Sequence, residues 1–274
     1  MSVTAGAARV RAAFARAATA RRSALVVYLM AGHPDDATSL AAAEAALEAG
    51  ADLLEIGIPF SDPVADGPVI AAAGHAAVAA GGGVDSALRL VRGLRRAGHE
   101  QPILAMGYLN PLVARGTAAT LRELAEAGVD AVIIPDLPAG EDRQLERLAA
   151  HAGLGICFLV TPNTTPARAE KAIHSSTAFL YVVPLYGVTG AREGMAATTL
   201  PLLRRIRSAV DGRVPVAVGF GVSRPEHVRE LSADVDGIIV GSAVVSALTE
   251  GGATNVGRLV RSLASATNTA KMGR

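Results

Sequence analysis

Glu55 lies in the run Asp52-Leu53-Leu54-Glu55-Ile56-Gly57-Ile58. The two-residue period of a strand puts Leu54, Ile56 and Ile58 on one face and Leu53, Glu55 and Gly57 on the other. The wholly apolar face predicts contact with surrounding helices, so Glu55 points the other way, into the middle of the fold. A carboxylate buried there is costly to ionise. Its pKa rises toward neutrality, which suits a group that must both give and take a proton. The other reading is a structural carboxylate satisfied by hydrogen bonds. Asp62 and Asp66 follow in Pro59-Phe60-Ser61-Asp62-Pro63-Val64-Ala65-Asp66-Gly67-Pro68, a loop stiffened by Pro59, Pro63 and Pro68. Asx-turn chemistry and a fixed catalytic carboxylate fit these two aspartates equally well. A phosphate site is predicted by Gly187-Val188-Thr189-Gly190, Gly219-Phe220-Gly221 and Gly241-Ser242-Ala243, the last opening a helix. Small residues free backbone N–H groups, and a helix N-terminus adds its dipole.

Absences narrow the chemistry. The only lysines are Lys171, in a helical pattern, and Lys271, in the C-terminal tail. Neither stands at a strand end, which argues against a Schiff-base aldolase or a pyridoxal phosphate site in this chain. The six histidines are scattered, with no pair at metal-ligand spacing, so no metal is expected and each is read as a surface or loop residue. The single cysteine, Cys157, sits in the apolar run Gly155–Val160 and reads as a buried strand residue. What remains is carboxylate acid–base chemistry on a phosphorylated substrate.

These groups need a scaffold. Apolar runs near 24–30, 52–58, 102–108, 130–134, 155–160, 178–183, 214–219 and 236–240 predict eight strands that alternate with Ala/Leu/Arg-rich helices. A turn recurs between them: Gly50-Ala51-Asp52, Gly128-Val129-Asp130 and, more loosely, Asp234-Val235-Asp236. Glycine closes the helix and the next strand begins. Eight such units in 274 residues, without a linker or a Gly-rich fingerprint after the first strand, predict an α/β fold, a single (β/α)₈ TIM barrel over 1–274, rather than a doubly wound sheet. Val10, Ala13, Phe14 and Ala17 fall at helical spacing and predict an N-terminal helix covering one end. Residues 1–8 and 264–274 are expected to fray. Two long connections, Pro59 to about Gly83 and Pro184 to about Ala197, lie on the C-terminal face, where barrels build their sites. With 50% hydrophobic residues, 19% charged and a net charge of +1, nothing suggests a nucleic acid or membrane partner. The lone cysteine and the lack of a long apolar span predict a cytoplasmic protein.

Leu54-Glu55-Ile56-Gly57-Ile58-Pro59-Phe60-Ser61-Asp62-Pro63 with Ala65-Asp66-Gly67-Pro68 resembles the signature of tryptophan synthase alpha chains. Further blocks follow in that family's order: Tyr28 to Gly32, Tyr108-Leu109-Asn110-Pro111, Pro135-Asp136-Leu137-Pro138, and the three glycine blocks above. The likeness runs from about residue 8 to 262. It implies a lyase of L-tryptophan biosynthesis that splits indole-3-glycerol phosphate into indole and glyceraldehyde 3-phosphate. Glu55 would be the acid/base and Asp66 would hold the ring nitrogen as positive charge develops, with Tyr181 positioning Glu55. Gly190, Gly221, Gly241 and Ser242 would bind the phosphate. Phe60, Tyr108, Thr189 and Phe220 would form the pocket and its loops. The resemblance also implies no cofactor in this chain and a beta subunit partner, carrying pyridoxal phosphate, in an alpha2beta2 complex.

The chain departs from that pattern at His33 (often Asp), Ala71 (usually Gln), Ala76 (commonly Arg) and Gly107 (frequently Thr), positions on or near the face turned to the beta subunit in the family. A stand-alone lyase supplying free indole, and a non-catalytic activator of a beta subunit, are the alternative readings. A phosphosugar isomerase barrel is the general one.

Overall fold

The same grip recurs four times at the N-terminal end of the sheet. Asp52 donates its N–H to the carbonyl of Leu25 (2.9 Å) and takes the N–H of Leu25 on its carboxylate (2.9 Å). Asp130 holds Ile103 in the same way (2.7 and 2.9 Å), as does Asp236 with Val216 (2.9 and 2.8 Å). Thr177 does it with a hydroxyl, gripping Ile156 (3.0 and 2.9 Å). The recurring aspartate of the sequence is therefore a clasp between neighbouring strands, satisfying backbone groups that the sheet would otherwise bury unpaired.

The computed structural model describes residues 3–184, 195–219 and 221–268, with the backbone alone for 195–198. The elements run α1 (Ala5–Thr19), β1 (Ala24–Met30), α2 (Asp36–Glu48), β2 (Leu53–Gly57), α3 (Pro68–Ala79), α4 (Val84–Arg96) and β3 (Ile103–Met106). After these come α5 (Leu109–Arg115), α6 (Thr117–Ala127), β4 (Ala131–Ile133), α7 (Arg143–His151), β5 (Gly155–Cys157), β6 (Leu159–Val160) and α8 (Pro166–Ser175). The chain continues with β7 (Leu180–Val182), α9 (Met195–Val210), β8 (Val216–Gly219), α10 (Pro225–Leu231), β9 (Gly237–Val240) and α11 (Ser242–Ala264).

Every paired strand is parallel, in the order β5-β4-β3-β2-β1-β9-β8-β7-β6. The strands β5 and β6 are two halves of one barrel strand interrupted at Phe158. The first half pairs with β4 and the second with β7, and Tyr181 N–H donates to the Phe158 carbonyl at 3.0 Å across the seam. The sheet thus closes as the expected (β/α)₈ barrel.

Alternation sorts the core. Leu25, Val27, Leu54 and Ile56 face the helices, while Val26, Leu53, Leu104 and Ile133 fill the barrel. The covering helix α1 plugs the N-terminal end with Val10, Ala13, Phe14 and Ala17. Phe14 reaches the barrel axis because Gly237 has no Cβ to block its ring, and it packs on Phe179 with centroids 5.4 Å apart.

The tails are tied down further than expected. Thr4 caps α1, Gly6 and Ala7 are already buried, and Gly6 donates to the Gly153 carbonyl (3.0 Å). At the other end Ala266 and Thr267 are buried and Asn268 bridges to Arg22. Apolar burial and backbone pairing outweigh the polar composition that suggested fraying. The stretch from Pro59 to Gly83 is likewise no open loop, since α3 fills about half of it, started by Pro68 at its first turn. No helix among the described residues is long and apolar enough to cross a membrane.

Candidate active site

Glu55 points inward from β2, as its alternation requires, and only 1% of it is exposed. Among the described residues neither carboxylate oxygen has a hydrogen-bond partner. Burial above all, and then the charge of Asp66, pushes the group up to about 8 from its ordinary 4.5. A structural carboxylate would be satisfied by the protein; no described residue satisfies this one.

Two phenols flank it. Tyr28 is the register partner of Glu55 on β1, and Tyr181 comes from β7. Each hydroxyl occupies the space over a glycine, Tyr28 over Gly57 and Tyr181 over Gly219. The arrangement repeats in register: Tyr28 pairs two residues before Gly57, and Tyr181 pairs with Ala217, two before Gly219. Burial and then nearby carboxylates raise both phenols well above their ordinary value, so they stay protonated. Sequence reasoning singled out Tyr181 but not Tyr28. The available signal was an inward tyrosine on one strand with glycine at the inward position of the next.

The loop after β2 is held from both sides. Tyr108, just after β3, accepts the Ala65 N–H at 3.0 Å and hydrogen-bonds Asp66. Its ring lies 5.3 Å from that of Phe60. His75 on α3 pairs with the Ser61 carbonyl (2.9 Å), and Ser61 donates to Asp62 (2.5 Å). The two aspartates now separate. Asp62 is exposed and its carboxylate takes only the hydroxyl of its neighbour Ser61 among the described residues, whereas Asp66 is partly buried beside the cavity of Glu55. Burial lifts Asp66 to about 6, against the lowering effect of its bond from Tyr108.

A cavity of about 250 Å³ joins Glu55, Asp66, Tyr28 and Tyr181 to Gly221, Gly241 and Ser242. Gly221 has a φ of +74°, a conformation that favours glycine. Gly241 closes on Ile70 and leads into α11, whose N-terminus has no side-chain cap and whose first residues, Ser242 and Ala243, line the cavity. Val222 and Ser223 also line this end and were not picked out from sequence. Ala65, Met106 and Tyr181 are shared with a second, larger cavity of about 490 Å³ walled by Leu137, Leu159 and Val183. Phe60 and Tyr108 stand behind these walls rather than in them. Of the pocket and loop places expected for them, they take the loop's, their rings packed on each other and the Tyr108 hydroxyl holding Ala65. Thr189, Gly190 and Phe220 lie outside the described residues. Cys157 is buried in β5, and burial raises its thiol. His33 is more buried than a loop histidine was expected to be, with Nε2 3.3 Å from Thr249 Oγ1 on α11.

Fold and site together define the class, an enzyme built on a (β/α)₈ barrel with a buried carboxyl facing a cavity that ends in glycines. The family model for the tryptophan synthase alpha chain matches residues 14–273. The alpha chain of Deinococcus radiodurans is 41% identical over 259 residues, 94% of each chain. That of Phenylobacterium zucineum is 42% identical over 243 residues, 89% of this chain and 87% of its own. A solved structure of Mycobacterium tuberculosis tryptophan synthase superposes with a TM-score of 0.87 at 37% identity, covering 95% of this chain and 98% of that one. The chain belongs to the tryptophan synthase alpha chain family.

Proposed function

We propose the following division of labour for the cleavage of indole-3-glycerol phosphate, the lyase reaction of the family to which this chain belongs. The glycerol phosphate occupies the smaller cavity, with its phosphate on the backbone of Gly221, Gly241 and Ser242 and on the α11 N-terminus. The family resemblance adds Gly190, Phe220 and Thr189 as phosphate, pocket and loop groups, and all three lie outside the described residues. The indole ring enters the apolar cavity past Met106 and Tyr181.

Glu55, held protonated near neutral pH, gives its proton to C3 of the indole ring. The cation that forms is spread onto the ring nitrogen, whose N–H donates to the Asp66 carboxylate. The Glu55 carboxylate then takes the proton of the glycerol hydroxyl. The C–C bond breaks, its electrons return to the ring, and indole and glyceraldehyde 3-phosphate leave with Glu55 reprotonated. Tyr181 and Tyr28 keep water from the carboxyl and fix its place. The observation that carries this reading is the pair of unpartnered oxygens on Glu55, facing a cavity that ends in glycines.

The family works with a beta subunit, and pyridoxal phosphate is the beta subunit's cofactor. We place this chain in an alpha2beta2 complex in the cytoplasm, a setting that suits its buried single thiol. Indole release by the purified chain, with and without a matched beta subunit, tests the whole. Slow release that rises strongly with the beta subunit is the expected result. Fast release indifferent to it identifies a stand-alone lyase, and no release overturns the reaction. Glu55→Gln should lose cleavage while still binding a phosphate ligand; normal turnover would remove Glu55 from its role.

A further inference from the structure

The larger cavity extends beyond what the reaction uses. Its volume, about 490 Å³, lies within the roughly 300–1,000 Å³ of sites for drug-sized ligands and exceeds the needs of one bicyclic ring. Its walls are apolar, yet its rim carries Arg168 and Lys171. They stand three apart on α8, on one helix face, and both are exposed. Arg22, Arg89, Arg115 and Arg213 each pair with an acid. The side chains of Arg168 and Lys171 make no hydrogen bond or ion pair among the described residues. Among the described residues Glu141 is the one acid in the same lining, so two cations stand there against one carboxylate.

We propose that this outer half is an anion-terminated aromatic subsite. It takes a planar bicyclic carboxylate, the ring in the apolar half and the acid on Arg168 and Lys171, in competition with the ring end of the substrate. The orientation rests on the function proposed above. With the ring nitrogen turned to Asp66, the benzo edge faces the rim, so an acid on the benzo ring reaches the two cations. An acid on the pyrrole edge would be directed at the carboxylates instead.

The test compares indole-6-carboxylate with indole-6-carboxamide and with indole itself, by direct titration of the full chain and by competition against indole-3-glycerol phosphate. The acid should bind about three- to tenfold tighter than the amide, two exposed charge contacts being worth about that much. The preference should shrink at high salt and vanish in R168Q/K171Q. Glu141→Gln should enlarge it, which guards against a folding defect in the double variant. Equal affinity of acid and amide in the native chain, or a preference that survives R168Q/K171Q, overturns the subsite. Failure of indole itself to bind or compete would instead strike the ring placement, and with it the proposed function.

Discussion

The Tyr28 hydroxyl rests in the space over Gly57 that a Cβ would occupy, so β1 can set a phenol beside Glu55 only because β2 carries a glycine two residues on. Gly57→Ala should therefore cost about 1–3 kcal/mol, the usual penalty for overpacking. In a double-mutant cycle with Tyr28→Leu, which withdraws the ring, the two losses should be clearly less than additive. Additive melting shifts would mean that the two sites do not share this space.

Stability should fall at alkaline pH through Glu55. Its folded carboxyl sits at about 8, above the ordinary 4.5, so the folded state keeps a proton that the unfolded chain has released. That contribution is whole below pH 4.5 and is lost as pH rises through about 8. It should amount to on the order of a few kcal/mol. Glu55→Gln should flatten this part of the curve in thermal melts from pH 5 to 9, and an unchanged slope would contradict the buried, raised carboxyl.

Activity should follow a bell. Asp66 must be ionised to hold the ring nitrogen, and Glu55 must carry a proton to give. The pair predicts a rise of kcat/KM through about 6 and a fall through about 8. Asp66→Asn should lower the rate by roughly a hundredfold or more and erase the acid limb. A profile flat from pH 5 to 9 would contradict both assignments.

Tyr108 should act through Asp66 rather than on substrate. Tyr108→Phe removes the acceptor of the Ala65 N–H and the bond that lowers Asp66. One net hydrogen bond suggests a loss of about two- to tenfold in kcat/KM. The acid limb should move to higher pH while the alkaline limb stays. A rate loss without that movement would make Tyr108 a substrate contact instead.

Asp130 should matter to stability alone. It is buried at the far end of the barrel, where it takes Arg9 (2.6 Å), Arg95 (2.9 Å) and the Ile103 N–H (2.9 Å). Asp130→Asn should destabilise by about 2–4 kcal/mol, since it leaves half-buried Arg95 without its counter-charge. The rate per folded molecule should hold, and a KM shift would show coupling across the barrel.

Much of this molecule is legible from local pattern. The apolar runs predicted the barrel strands to within a few residues at their ends, and Gly50 and Gly128 close their helices with the positive φ expected of them. The inward direction of Glu55 followed from its neighbours. Such features depend on residues adjacent in the chain, where covalent geometry sets which side chains share a face.

The tertiary structure decided what depends on distant segments. Asp62 and Asp66 are alike in sequence, and only burial beside Glu55, with Tyr108 arriving from after β3, tells them apart. The same holds for Tyr28, whose place depends on a glycine of the next strand, and for Asp52, Asp130, Thr177 and Asp236, whose clasps need the neighbouring strand in register. Period and turn chemistry are written along the chain. Desolvation, register and the pairing of a carboxylate arise only when separated segments meet, because each depends on what has replaced water around the group.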